Sequence, residues 1–171
     1  DDIIILSASK KLVGQIIAAS ILIHLGGIRI HSMHGLMGFN ELPEGFALAL
    51  SYLTIIVIMN SFNLIDGVDG LAASLGILTM SVFGAYFFAI DYQAYALLSF
   101  SMGGSLVAFM IFNHQPAKIF MGDSGSLMIG LINAILVIKF INVAESPFVT
   151  VPVTSAVAVG FSILIVPLLD T

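Results

Sequence analysis

Five aspartates, Asp1, Asp2, Asp66, Asp69 and Asp123, stand in three short polar stretches separated by long apolar runs. Asp66 and Asp69 are three apart, a spacing that stacks side chains on one helix face. Gly67 and Gly70 point instead to irregular backbone at a helix end. Either geometry brings two carboxylates together, with Asn63 one turn earlier. Neighbouring anions repel, so such a site favours a divalent cation or a retained proton. Oxygen-only donors suit Mg²⁺, or Mn²⁺, better than zinc, and Mg²⁺ suits a phosphate-bearing substrate. Asp123 lies in Met121-Gly122-Asp123-Ser124-Gly125-Ser126, at the start of an apolar run. An Asp or Ser there can cap a helix. The free N–H groups of the same helix start also favour an anion such as a pyrophosphate. Asp123 and Asn63 are the candidate metal ligands, and Asp1, Asp2, Asp66 and Asp69 the candidate catalytic carboxylates. Asn63, Asn113, Lys118 and Gly122 are the candidate substrate-binding residues. His114 could also meet substrate, whereas His24, His31 and His34 read as structural or surface residues. No zinc-type histidine spacing occurs.

The elements that must hold these groups are transmembrane helices. Of 171 residues, 59% are hydrophobic and 9% charged, far below the ~25% charged of a soluble domain. A spanning helix needs about 20 mainly apolar residues. Six segments are candidates: Leu12–Ile28, Phe46–Met59 (the shortest, with room to extend to Phe62), Leu71–Ile90, Tyr95–Phe112, Gly125–Val143 and Phe148–Leu169. The last contains Pro152 and Pro167, which predict kinks. The expected architecture is an all-α polytopic bundle of about six spans. Ile28-Arg29-Ile30-His31 alternates, and Gly35 and Gly38 come after it, which predicts a short extracytoplasmic β-hairpin at 28–40.

Six spans reverse direction in turn, and this parity sorts the connections. Asp1–Lys11, Asn60–Gly70, Asn113–Ser124 and Asp170 fall on one side, with Lys10, Lys11 and Lys118. Gly26–Gly45, Asp91–Gln93 and Ala144–Pro147 fall on the other, with Arg29 and nearby Lys139. The lysine bias places the first set in the cytoplasm of a multi-pass cell (inner or plasma) membrane protein. The bilayer is one expected partner. The net charge of −5 excludes nucleic acid, because no basic patch exists to neutralise phosphates. The chain has no cysteine, which excludes disulfides and thiolate chemistry. It opens on Asp1-Asp2 and stops at Asp170-Thr171 beside an apolar run, so we expect residues 1–171 to be one catalytic core taken from a longer membrane protein.

Two motifs carry a resemblance. Asn63-Leu64-Ile65-Asp66-Gly67-Val68-Asp69-Gly70-Leu71-Ala72 and Pro116-Ala117-Lys118-Ile119-Phe120-Met121-Gly122-Asp123-Ser124-Gly125-Ser126 resemble the signatures of the polyprenyl-phosphate N-acetylhexosamine-1-phosphate transferases. That family includes the phospho-N-acetylmuramoyl-pentapeptide transferases. Asp1-Asp2 matches its aspartate pair, and Lys11-Leu12 with Gln15 fits the family's pattern just after that pair. Ile65, His34-Gly35-Leu36 and Glu41-Leu42-Pro43 look more like the N-acetylglucosamine-type branch.

The resemblance implies a reaction. A polyprenyl phosphate, such as undecaprenyl phosphate, attacks the β-phosphate of a UDP-N-acetylhexosamine, and UMP leaves. It implies Asp123 as Mg²⁺ ligand and Asp1 and Asp2 at the lipid phosphate. Asn63, Asp66 and Asp69 would shape the nucleotide and metal site. It also implies further helices before the aspartate pair and a His-rich loop beyond Thr171, and it leaves a homodimer open.

Three other readings compete. A CDP-alcohol phosphatidyltransferase shares Asp66-x-x-Asp69-Gly70-x-x-Ala73, but Ser74 stands where its motif has Arg. An intramembrane aspartyl protease would have Gly at position 120, where Phe120 stands. A transporter or proton channel would have carboxylates within its spans, and Leu71–Phe112 offers only Asp91, at a turn.

Overall fold

The computed structural model describes residues 7–38 and 40–169. Asp1, Asp2, Asp170 and Thr171 lie outside the described residues. Within them the fold is all α, with seven helices and no strand: α1 (Ala8–His24), α2 (Glu44–Ile65), α3 (Leu71–Ala89), α4 (Gln93–Asn113), α5 (Gly122–Val143), α6 (Ala156–Ile163) and α7 (Ile165–Leu169). Four of them, α2 to α5, are long and apolar enough to cross a membrane.

The six expected spans are therefore corrected at both ends of the chain. α1 has 17 residues, about 26 Å at 1.5 Å per residue, shorter than a ~30 Å hydrocarbon core. It ends at His24 rather than Ile28, where Gly26 and Gly27 follow and Gly27 takes φ +64°. The sixth segment, expected as one helix over Phe148–Leu169, is broken. Residues 148–155 are not helical, as Pro147 and Pro152 lack the N–H a helix needs. The segment is tied to α3 instead: Tyr86 Oη donates to Val151 O at 3.3 Å and the Thr150 side chain donates through Oγ1 to Ala89 O at 2.9 Å. α6 starts where Glu145 Oε1 accepts the Ala156 N–H at 2.7 Å. It stops at Ile163, the carbonyl four residues before Pro167, which Pro167 cannot reach with an N–H.

The hairpin expected at 28–40 is also corrected. It reduces to a single antiparallel bridge between Ser32 and Glu41, plus a 3₁₀ turn at Leu36–Gly38. Side-chain bonds replace a ladder there: Ile30 N–H to Ser51 Oγ (2.9 Å), and Asn142 Nδ2 to Arg29 O (2.7 Å).

α5 is the central helix, packed on α2 along one side and α3 on another, while α4 lies against α3 and α1 against α2. The approach of α2 to α5 is closest at Gly130, where a Cβ would stand 2.6 Å from Met59 Cα. Small residues at such crossings let backbones meet, which is how helices associate where lipid removes the hydrophobic drive. Phe83, Phe87 and Phe140 are fully or nearly fully buried near one end of the core. Beside them Lys139 Nζ lies 5.2 Å from the ring centres of both Tyr92 and Tyr95. That packing accommodates a cation in the apolar stretch of α5 between Asn133 and Asn142.

Candidate functional site

The parity argument groups the connections as the structure does. The start of α1, the end of α2, the start of α3, the end of α4 and the start of α5 meet at one end of the bundle, joined by side-chain hydrogen bonds. Arg29, His34, Glu44, Asn142 and Glu145 pair among themselves at the other.

No Gly or Pro interrupts α2 between Phe46 and Ile65, so the helix runs through the expected extension to Phe62 and on to Ile65, carrying Asn60 and Asn63 on its last turns. Gly67 and Gly70 then end it, and Gly70 sits at φ +77°. Asp66 follows the last helical residue directly. On α5, Gly122 takes φ +69°, a left-handed conformation that glycine adopts without strain. This turn puts Asp123 in the first helical turn. It also aims the Gly122 N–H at the Asp66 carboxylate, which accepts it. Asp123 therefore stands where the helix start favours negative charge.

Asp123 is the hub. Its Oδ1 accepts from Asn63 Nδ2 at 2.8 Å, and its Oδ2 pairs with Lys11 Nζ. Asn63 Nδ2 also donates to Ser126 Oγ at 2.9 Å. The side chains of Lys11 and Asp123 stay about a third exposed, 30% and 32%, so a solute can reach both. Asp66 has its carboxyl pushed up to about 6 by burial first and by the charge of Asp123 second, against the Gly122 hydrogen bond, which lowers it. One turn deeper, Gln15 and Asn60 bond reciprocally: Gln15 Nε2 to Asn60 Oδ1 at 2.9 Å, and Asn60 Nδ2 to Gln15 Oε1 at 3.3 Å. A cleft of about 400 Å³ lined by Ala8, Lys11, Leu12, Gln15, Asn60 and Asn63 opens beside the hub.

The other expected residues do different work. Asn113 is buried, and its amide bridges two connections: Oδ1 accepts the Gly70 N–H at 3.0 Å and Nδ2 donates to Ile119 O at 2.9 Å. Asp69 Oδ2 accepts the Ala117 N–H at 3.1 Å. Both hold the 66–70 turn against the 114–121 loop, and in this arrangement both bond to backbone. Lys118 and His114 are exposed on that loop. His24 has the structural role expected of it, bonding Tyr52 Oη at 3.2 Å. His34 is more enclosed than a surface reading allows, with Nδ1 3.6 Å from Glu145 Oε2.

The donor set fits a hard divalent cation. Asp66 and Asp123 are two carboxylates; burial first and the charge of Asp123 second raise the pKa of Asp66, and a cation offsets both. No cluster of three His, Asp or Glu side chains occurs among the described residues. Mg²⁺ takes one or two carboxylates and completes its shell with water and substrate phosphate. Asn63 presents its amide nitrogen to Asp123, so here it orients that carboxylate.

Sequence reading passed over Lys11, Gln15, Asn60 and Ser126 as members of this site. Two signals mark the first three: Lys11 and Gln15 are four apart on α1, and Asn60 and Asn63 three apart on α2, so each pair shares a helix face.

Residues 1–141 match the family described as glycosyl transferase family 4. Among curated proteins, the phospho-N-acetylmuramoyl-pentapeptide-transferase of Shouchella clausii (strain KSM-K16) is 38% identical over 133 residues, covering 73% of this chain and 39% of the relative. Its namesake in Lactobacillus acidophilus is 40% identical over 134 residues, with the same coverage. That of Carboxydothermus hydrogenoformans is 34% identical over 137 residues, covering 73% and 42%. The chain thus spans about two fifths of the length of the curated relatives it matches.

Proposed function

Because the chain belongs to glycosyl transferase family 4 and is a multi-pass membrane protein, we propose that it holds the core of a phosphoglycosyl transfer site. The site moves N-acetylhexosamine-1-phosphate from a UDP-sugar to a polyprenyl phosphate, releases UMP, and faces the cytoplasm, where nucleotide sugars are made. The product, a polyprenyl-diphospho-sugar, serves cell-envelope polysaccharide synthesis. The observation that carries this reading is the convergence of Lys11, Asn63, Asp66 and Asp123 at one end of an apolar bundle.

Phosphoryl transfer needs positioning and charge neutralisation more than a protein nucleophile. The lipid phosphate is itself the nucleophile. Asp1 and Asp2 orient or deprotonate it. Lys11, released from Asp123, neutralises the donor's diphosphate, and the positive end of the α5 dipole favours the same anion. Asn63 keeps Asp123 in place, and Asp69 and Asn113 keep the two loops together around the nucleotide. Mg²⁺ held by Asp66 and Asp123 would stabilise the leaving UMP. A lipid acceptor accounts for the membrane setting better than a transport path, since Asp66, Asp69 and Asp123 cluster at one end of the bundle.

Two donors have an observation behind them. Ile65, with His34-Gly35-Leu36 and Glu41-Leu42-Pro43, favours UDP-N-acetylglucosamine. The names of the relatives favour the muramoyl-pentapeptide. The test is UMP release by the full-length protein with each donor and undecaprenyl phosphate, with Mg²⁺ titrated and Mn²⁺ as alternative. Asp123→Asn should abolish release, and wild-type turnover by that variant would overturn its metal role.

A further inference from the structure

Only three of the 17 residues of α1 are buried, Gln15, Ala19 and Ile23. They are spaced by four, and the next position up the same stripe is Lys11. Most of the rest of the helix turns apolar side chains outward: Leu12, Val13, Ile16, Ile17 and Ile21 are each more than 40% exposed. A stripe of Ala19 and Ile23, with Leu22 partly buried beside them, gives little resistance to sliding or rotation, because apolar contacts in lipid have no hydrophobic drive to fix a register. Gln15 supplies what the apolar contacts lack. Its amide is 4% exposed and meets Asn60 through two bonds. Asn60 Nδ2 also donates to Ile56 O at 3.0 Å, which turns its oxygen toward Gln15. The reciprocal pair forms at one register only: a one-residue shift of α1 turns Gln15 by about 100° and moves it about 1.5 Å.

We infer that the Gln15–Asn60 amide pair is a positioning device, which sets the height and rotation of α1 and so delivers Lys11 to Asp123 and the donor phosphates. The inference rests on the proposed function for the role of Lys11. Lys11 lies one turn above Gln15, and Asn63 lies one turn above Asn60, so the amide pair and the Lys11–Asp123–Asn63 cluster are successive rungs of one seam. A second clamp, Tyr52 Oη with Ser20 Oγ at 2.8 Å and His24 Nε2 at 3.2 Å, holds the far end of α1. It is more than two turns from Lys11 and provides the control.

The experiment is a double-mutant cycle on UDP binding by the detergent-solubilised full-length protein with Mg²⁺, read by calorimetry. Lys11→Gln should weaken UDP binding about tenfold, the loss of one charge-assisted contact. Gln15→Ala should weaken it by a similar factor in the wild-type background, since a ~1 Å misplacement is enough for such losses. In the Lys11→Gln background Gln15→Ala should add less than about twofold. The exchange Gln15→Asn with Asn60→Gln, which restores the combined side-chain length, should recover binding, and Tyr52→Phe should leave it unchanged.

Equal losses from Gln15→Ala in both backgrounds, or a Tyr52→Phe variant that behaves like Gln15→Ala, would overturn the positioning role while leaving the proposed function intact. UDP binding that ignores Lys11→Gln would do the same. A wild-type protein that does not bind UDP overturns both.

Discussion

Gly130 offers the sharpest test of how packing controls the site. A methyl group at this position would stand 2.6 Å from Met59 Cα, 3.0 Å from Ile58 O and 3.2 Å from Met59 N. All three are backbone atoms of α2, so no side chain can swing away. To reach the 3.4 Å at which ordinary contact begins, α2 must retreat from α5 by about 0.8 Å. Asn63 lies four residues beyond Met59 on α2, and Asp123 seven residues before Gly130 on α5. The same retreat therefore stretches the 2.8 Å Asn63–Asp123 bond past the length at which a hydrogen bond holds. Two effects oppose each other in Gly130→Ala. Alanine favours the helix by about 1 kcal/mol, and overpacking a tight contact costs about 1–3 kcal/mol. The net loss of stability is small, a few degrees or less in Tm. The effect on turnover is larger, because a ~1 Å misplacement can cost about a hundredfold. UMP release by the full-length protein should fall at least about tenfold, with detergent Tm measured alongside. Gly104→Ala is the control, since a Cβ there meets nothing within 4 Å. Gly130→Ala with wild-type turnover would refute the claim that the α2–α5 approach sets the site geometry.

Asn113→Ala should strand the buried Gly70 N–H, free the carbonyl of exposed Ile119 to water, and cost about 1–3 kcal/mol, seen as a lower Tm and faster proteolysis of the 114–121 loop. Asp66 should make stability depend on pH: its raised pKa favours the protonated folded form, so its contribution is full below its ordinary 3.8 and lost as pH rises through about 6. In metal-free detergent, Asp66→Asn should flatten the fall in Tm between pH 4 and 7, approximately the window between those two pKa values, and an unchanged slope would assign it elsewhere. Cysteines at Leu64 and Ile119, which are 64% and 41% exposed, should label from the cytoplasmic side only; labelling from outside would reverse the orientation.

The amino-acid sequence by itself determined the class of the fold and the end at which chemistry gathers. Hydropathy is a sum over neighbours in the chain, so the apolar runs behind α2 to α5 are visible without a structure. Parity then groups Asp66, Asp69, Asn113 and Asp123, because alternate crossings leave no other arrangement. The glycines at 67, 70 and 122 also mark the turns that end α2 and open α5, since backbone conformation is local.

Tertiary structure alone decided how those residues divide the work. Lys11 and Asp123 are 112 positions apart, and their pairing depends on the register of α1 against α2, which no local pattern encodes. Asn113 and Asp69 look like ligand residues in a motif, yet in the fold their polar atoms meet the backbone of a neighbouring loop. The sixth span has enough apolar residues to cross, but the segment ahead of α6 accepts a hydrogen bond from Tyr86 and donates one from Thr150 to Ala89 O, and the helix breaks. Composition reports what a segment can bury; which partner satisfies each polar group is settled only when the helices meet.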